Sequence, residues 1–156
     1  MEVDIEIRFW GVEDGEEVKK RIFQQAIVLR ANATTDKIMT GEIDTMSEVP
    51  HVLAARMWHR GEVVSRDMDW PQPLKYLSFP QRNVSVQQNG ICIHVSADRP
   101  VKCLVFEERD DYTLSDNALD LAPGDEQIIQ VVGMKDGDEL LDWTYLGRDE
   151  RRGNRF

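Results

Sequence analysis

Val3-Asp4-Ile5-Glu6-Ile7-Arg8-Phe9 decides the fold, because apolar and charged residues alternate across it without a break. Successive side chains of a strand point to opposite faces, so this stretch reads as a strand with one face in a core. Working outward, Glu13-Asp14-Gly15-Glu16-Glu17 supplies turn chemistry before a second β-rich run over residues 21–31. Residues 37–43 form a weaker strand candidate and residues 51–58 a further one. Arg60-Gly61 then makes a tight turn into residues 62–65. Residues 16–25 have helical propensity, yet Val18, Ile22 and Phe23 are too few apolar positions to make a helical stripe.

The rhythm breaks at Asp67-Met68-Asp69-Trp70-Pro71-Gln72-Pro73. Two prolines two residues apart forbid a regular interior strand and favour a stiff, extended connection. Residues 69–80 therefore read as a linker, anchored by Trp70, Leu74, Tyr76 and Leu77. Strands resume afterwards. Residues 83–88 alternate, Asn89-Gly90 is a hairpin signal, and residues 91–95 answer it. Ala97-Asp98-Arg99-Pro100 is a second turn before a strand over 101–107. Residues 112–121 read as a loop with a short strand, Pro123-Gly124-Asp125 turns the chain into a strand over 126–132, and residues 140–146 close the set.

Short strands about ten residues apart, with turn signals between, predict an all-β fold of two small immunoglobulin-like β-sandwich units in tandem. The expected division is a first unit over 1–68, its opening strand lying before Met1, the linker over 69–80, and a second sandwich over 81–148. A basic tail over 149–156 reads as frayed and solvated.

Composition fits a folded chain: 41% of the 156 residues are apolar, more than a disordered tail carries. The net charge of −10 repels phosphate backbones and anionic lipid, which argues against nucleic-acid and membrane-surface partners. The apolar run Ala26-Ile27-Val28-Leu29 is too short to span a bilayer, and no leader pattern opens the chain.

The chain's chemistry is sparse. Cys92, Cys103, His51, His59 and His94 show no zinc-ligand spacing, so no dedicated zinc site is expected. The two cysteines, on neighbouring strands, read as buried, reduced thiols rather than a disulfide. Asn32-Ala33-Thr34 and Asn83-Val84-Ser85 match the N-glycosylation acceptor pattern, which matters only in a secreted chain. No nucleophile elbow, Walker loop or dinucleotide fingerprint occurs. The carboxylates, among them Asp14, Glu16, Asp110, Asp111, Asp136 and Asp138, fall mostly in turns and read as solvated acids rather than a glycosidase pair. Asp116, Asn117 and Asp120 offer clustered oxygens. Local Asx-turn bonds explain them more simply than calcium. Trp10, Trp58, Trp70 and Trp143 read as aromatics buried between sheets, with Trp70 the most exposed of them.

Three runs in this chain carry more information than its periodicity. Asp69-Trp70-Pro71-Gln72-Pro73-Leu74-Lys75-Tyr76-Leu77 resembles the segment joining the last two domains of family 2 β-mannosidases. Ser96-Ala97-Asp98-Arg99-Pro100-Val101-Lys102 is similar to a strand and turn of that family's final domain. Leu114-Ser115-Asp116-Asn117-Ala118-Leu119-Asp120-Leu121-Ala122-Pro123-Gly124-Asp125 is similar to its Ser-Asp-Asn, Asp-Leu, Pro-Gly run. Position 103 departs from the pattern: it is Cys where a small residue such as Gly is expected.

The resemblance implies immunoglobulin-like accessory domains of a retaining, cofactor-free enzyme that removes terminal β-mannose and carries its two catalytic glutamates on a (β/α)₈ barrel. Such a barrel takes about 250 residues, more than this chain has, so no catalytic role is carried over to any position. The motif residues are then expected to be structural: Trp70, Pro71, Pro73 and Lys75 in the joint, Asp98, Pro100 and Lys102 at the turn, and Asp116, Asn117, Asp120, Pro123 and Gly124 in the third run. The implied partner is the remainder of the glycosidase. Two rival readings stand beside this one. In the first, Trp70 and Tyr76 contact β-mannoside oligosaccharides in a stand-alone carbohydrate-binding module. In the second, a protein-interaction domain uses an unpaired sheet edge.

Overall fold

The computed structural model describes residues 1–35 and 49–148, with residues 19–23 described by backbone alone. The strand expected over 37–43 and the tail over 149–156 lie outside the described residues. The chain forms two compact units, Met1–Val12 with Glu16–Leu77, and Glu13–Gly15 with Ser78–Phe156.

The first unit is an antiparallel sheet of four strands in the order β2-β1-β3-β4, made from β1 (Glu2–Gly11), β2 (Glu17–Val28), β3 (His51–His59) and β4 (Glu62–Asp69). Alternation in β1 sends Val3, Ile5 and Phe9 into the core, as its sequence requires. The Arg60-Gly61 turn joins β3 to β4 through two residues of positive φ, +51° and +85°, the backbone of a type I′ hairpin. β4 runs on to Asp69, because Ala54 pairs with Met68 and Leu53 with Asp69. Leu74–Tyr76 then forms a single 3₁₀ turn, closed by the Tyr76 N–H donating to the Pro73 carbonyl at 2.9 Å.

The second unit is a sandwich. One sheet has the order β5-β6-β10-β8, from β5 (Val84–Asn89), β6 (Cys92–Ala97), β10 (Gln127–Val132) and β8 (Thr113–Leu114). The other has the order β11-β7-β9, from β7 (Val101–Phe106), β9 (Leu119–Leu121) and β11 (Trp143–Thr144). Ile93, Val95, Ile129 and Val131 of the first sheet meet Val101, Leu104, Phe106, Leu119 and Leu121 of the second in one core. The chain is all-β, two immunoglobulin-like units in tandem. Among the described residues no helix is long and apolar enough to cross a membrane.

Three local expectations are corrected. The β5–β6 hairpin turns at Gly90-Ile91, not Asn89-Gly90: Asn89 pairs with Cys92, and Gly90, at φ +60°, takes the first central position that a type II′ turn reserves for glycine. Cys92 and Cys103 are free thiols, but Cys92 is half-buried and Cys103 exposed, and their strands β6 and β7 belong to different sheets. Trp10, Trp58 and Trp143 are half-buried rather than core residues, while Trp70, read as the most exposed of the four, is half-buried as well. Trp58 and Trp143 turn a face to Arg56 and Arg148, whose guanidinium carbons lie 5.2 and 3.8 Å from the ring centroids.

Candidate functional site

The motif residues of the second unit form a network in which side chains stand in for missing backbone partners. Asn117 mimics a neighbouring strand: its Oδ1 accepts from the Phe106 N–H at 2.8 Å and its Nδ2 donates to the Phe106 carbonyl at 3.1 Å. The same Oδ1 accepts from the Ala118 N–H at 3.0 Å, while Asp116 Oδ1 accepts from the Asn117 N–H at 2.8 Å. Asp120 receives Lys102 Nζ at 2.7 Å and the Cys103 N–H at 3.0 Å. Asp98 holds Asn83 twice, accepting from its backbone N–H at 2.9 Å and from its Nδ2 at 2.7 Å. Pro123-Gly124 sits in a turn closed by the Asp125 N–H donating to the Ala122 carbonyl, with Gly124 at φ +70°.

Cys103 explains the departure noted in the sequence. It stands at φ +57°, the left-handed region that favours glycine, where the β7–β9 register shifts between Val101 and Leu104. The backbone wants the residue that the resemblance led us to expect. Cys103→Gly is predicted to raise stability by about 0.5–1 kcal/mol, the strain relieved less the added freedom of the unfolded chain. A lower denaturation midpoint for that variant would remove this account.

In the first unit Glu6 stands on the charged side of the β1 alternation, yet only 7% of it is exposed. It is buried because Arg56, paired opposite on β3, Arg8 on its own strand and Gln24 on β2 close over it. Arg56 Nε and Arg8 Nη2 each donate to it at 3.2 Å, and Gln24 Nε2 at 3.4 Å. Burial alone would raise the Glu6 carboxyl. The hydrogen bonds and charges of Arg8 and Arg56 outweigh it and hold the group below the usual 4.5. A depressed folded-state pKa gives stability that is present above the unfolded value and lost as pH falls through the folded one. Acidification from about pH 4.5 downward should therefore cost the chain stability, and Glu6→Gln should flatten that slope in denaturant titrations run across the window.

Asp138 is likewise held low, by the Lys135 N–H at 2.7 Å and the Tyr112 hydroxyl at 3.0 Å, and the Asp138 carboxylate in turn raises Tyr112. A glycosidase acid needs its carboxyl pushed up toward neutrality. Among the described residues the two displaced carboxyls, Glu6 and Asp138, move the other way. The shallow cleft beside Tyr112, lined by Arg109, Leu114, Asp116 and Asn117, is edged by the same groups that tie down the β8–β9 connection.

Trp70 and Tyr76, the candidate sugar contacts, differ in setting. Tyr76 is 73% exposed on the 3₁₀ turn, with Lys75 Nζ 4.7 Å from its ring centroid, whereas Trp70 is half-buried. Gln72, between Pro71 and Pro73, accepts from the His51 backbone N–H at 3.3 Å and so fastens this stretch to β3.

Arg82 is the residue the sequence reading missed. It is 5% exposed, donates through Nε to the Pro100 carbonyl at 2.6 Å and through Nη1 to the Pro80 carbonyl at 2.9 Å, and lies 4.8 Å from the Phe79 ring centroid. Its sequence signal was slight: an arginine two residues after a proline, beside a strand start.

Comparison with known proteins agrees with this picture. A family model described as a mannosidase Ig/CBM-like domain matches residues 1–76. That match runs through the four-stranded sheet as far as the 3₁₀ turn. Over 150 residues, 92% of the chain, the sequence is 45% identical to β-mannosidase B of Aspergillus niger and 44% identical to that of Aspergillus terreus. The chain spans only 18% of the length of each of these relatives. A crystal structure of a β-D-mannosidase from Dictyoglomus thermophilum superposes with a TM-score of 0.61 at 13% identity, over 94% of this chain and 18% of that one. The similarity to the mannosidase Ig/CBM-like model thus takes in the first unit as far as Tyr76, and the likeness to β-mannosidases continues through the second.

Proposed function

We propose that the chain is a non-catalytic, immunoglobulin-like accessory region of a β-mannosidase-type glycoside hydrolase, whose parent activity is retaining hydrolysis of terminal β-mannosides. One observation carries this reading: the sequence matches β-mannosidases at 45% identity over nearly its whole length, yet equals 18% of theirs. Charged and amide side chains spent on Phe106, Cys103, Asn83 and Pro100 suit a part that holds shape. Residues 69–80 serve in this reading as a stiff joint, and the partner is the rest of the glycosidase.

The purified chain should leave an aryl β-mannoside untouched over hours at micromolar protein. Turnover at enzymatic rates, abolished by no contaminant-removing step, ends the proposal. The exposure of Tyr76 favours a second reading, sugar binding at the 3₁₀ turn. Titrating mannan oligosaccharides while following aromatic emission separates the two: the accessory reading expects a flat trace, and saturable quenching lost in Tyr76→Ala supports the module.

A further inference from the structure

The second unit leaves one sheet edge without the devices that normally guard it. β5 is the terminal strand of β5-β6-β10-β8, and among the described residues no strand pairs with its outer side. Proteins protect such edges with charges, prolines or bulges. β4, an edge of the first unit, follows that rule with Glu62, Arg66, Asp67 and Asp69. β5 reads Val84-Ser85-Val86-Gln87-Gln88-Asn89, has no charge and no proline, and pairs with β6 in unbroken register.

The outer face beside that edge has the same character. Gln87 pairs with His94 and His94 with Ile128, so the three lie side by side across β5, β6 and β10. Ile128 is 56% and Val132 68% exposed. Glu126, bonded to His94 at 3.1 Å, sits at the margin, and the strand residues of this face include no Asp, Glu, Lys or Arg. In a chain that is 31% charged, such a surface shares the charge depletion of an interface core, with Ile128 and Val132 as its apolar part.

We infer that the β5 edge and the outer face carrying Gln87, Ile128 and Val132 dock a neutral, strand-forming segment of the longer glycosidase chain. This rests on the accessory reading. Two features favour that occupant over a second copy: the relatives hold more than four-fifths of their length outside the matched region, and two copies at −10 each would repel across a shared edge.

The test replaces the matching segment of the Aspergillus niger enzyme with this chain and adds Gln87→Lys, Ile128→Lys and Val132→Lys together, with Val64→Lys on β4 as control. All three positions are exposed, so the isolated 156-residue chain should unfold at the same temperature with or without them. The chimera should lose thermal persistence of activity by about ten-fold with the three lysines and keep it with the control. A photo-crosslinker at position 87 should capture residues from elsewhere in the same polypeptide. An active chimera indifferent to the lysines overturns the docking face alone, as does capture of a second copy. A soluble chimera without activity overturns the accessory reading beneath it.

Discussion

Arg82→Leu should destabilise the second unit by about 3 kcal/mol, enough to lower its unfolding temperature by roughly 15 °C. The guanidinium satisfies two carbonyls, of Pro80 and Pro100, and Pro100 is itself buried. Proline has no N–H, so these segments have fewer ways to organise a replacement bond. Leucine fills much of the volume but leaves the Pro100 oxygen dry and unpaired, at about 1–3 kcal/mol, and forfeits the stack on Phe79, about 0.5–2 kcal/mol. Arg82→Lys should recover part of the loss, since an ammonium can reach one carbonyl but not fork to two. Urea titration of the three proteins decides the matter. A leucine variant within about 0.5 kcal/mol of the parent would mean that water reaches the two carbonyls and that the arginine is incidental.

The contrast between Arg82 and β1 shows what a sequence exposes and what it hides. Alternation in Val3 to Phe9 is a local property of the chain, and the backbone period translates it directly into a buried face. The Arg60-Gly61 turn is local too, and was readable for the same reason. Glu6 and Arg82 were not, because what buries each comes from afar in sequence: Arg56 is 50 residues from Glu6, and Pro100 is 18 from Arg82. A charged residue looks solvated until the register that covers it is known. The hairpin at residue 90 failed more narrowly. Asn-Gly and Gly-X turns differ by one residue, and here the register Asn89–Cys92 selects the second. Of the candidate site, the motif run around Asn117 was legible as a run, and Asp116 as a local Asx bond. Its main partner, Phe106, was not, since only sheet pairing brings them together.

That pairing supplies the other large effect. Asn117→Ala should cost about 3 kcal/mol, because it strips the Phe106 N–H and carbonyl of their partners at once and frees the Ala118 N–H as well. Part of that could reflect any truncation of a half-buried side chain, so Asn117→Asp is the sharper probe. The aspartate has the same shape and keeps both acceptor bonds, yet it sets a carboxylate oxygen against the Phe106 carbonyl where an amide donor had been 3.1 Å away. Ionised, it repels; protonated, it donates a hydrogen bond to that carbonyl. The introduced carboxyl must then have a folded-state pKa above its unfolded value, so the folded state binds more protons and the variant gains stability relative to the parent as pH falls through that raised pKa. The difference in unfolding free energy between the two proteins should narrow steadily from pH 7 to about pH 4. A difference that stays constant over that range would show that the amide nitrogen at position 117 does not hold Phe106, and that the β7 strand is kept in place by its core contacts alone.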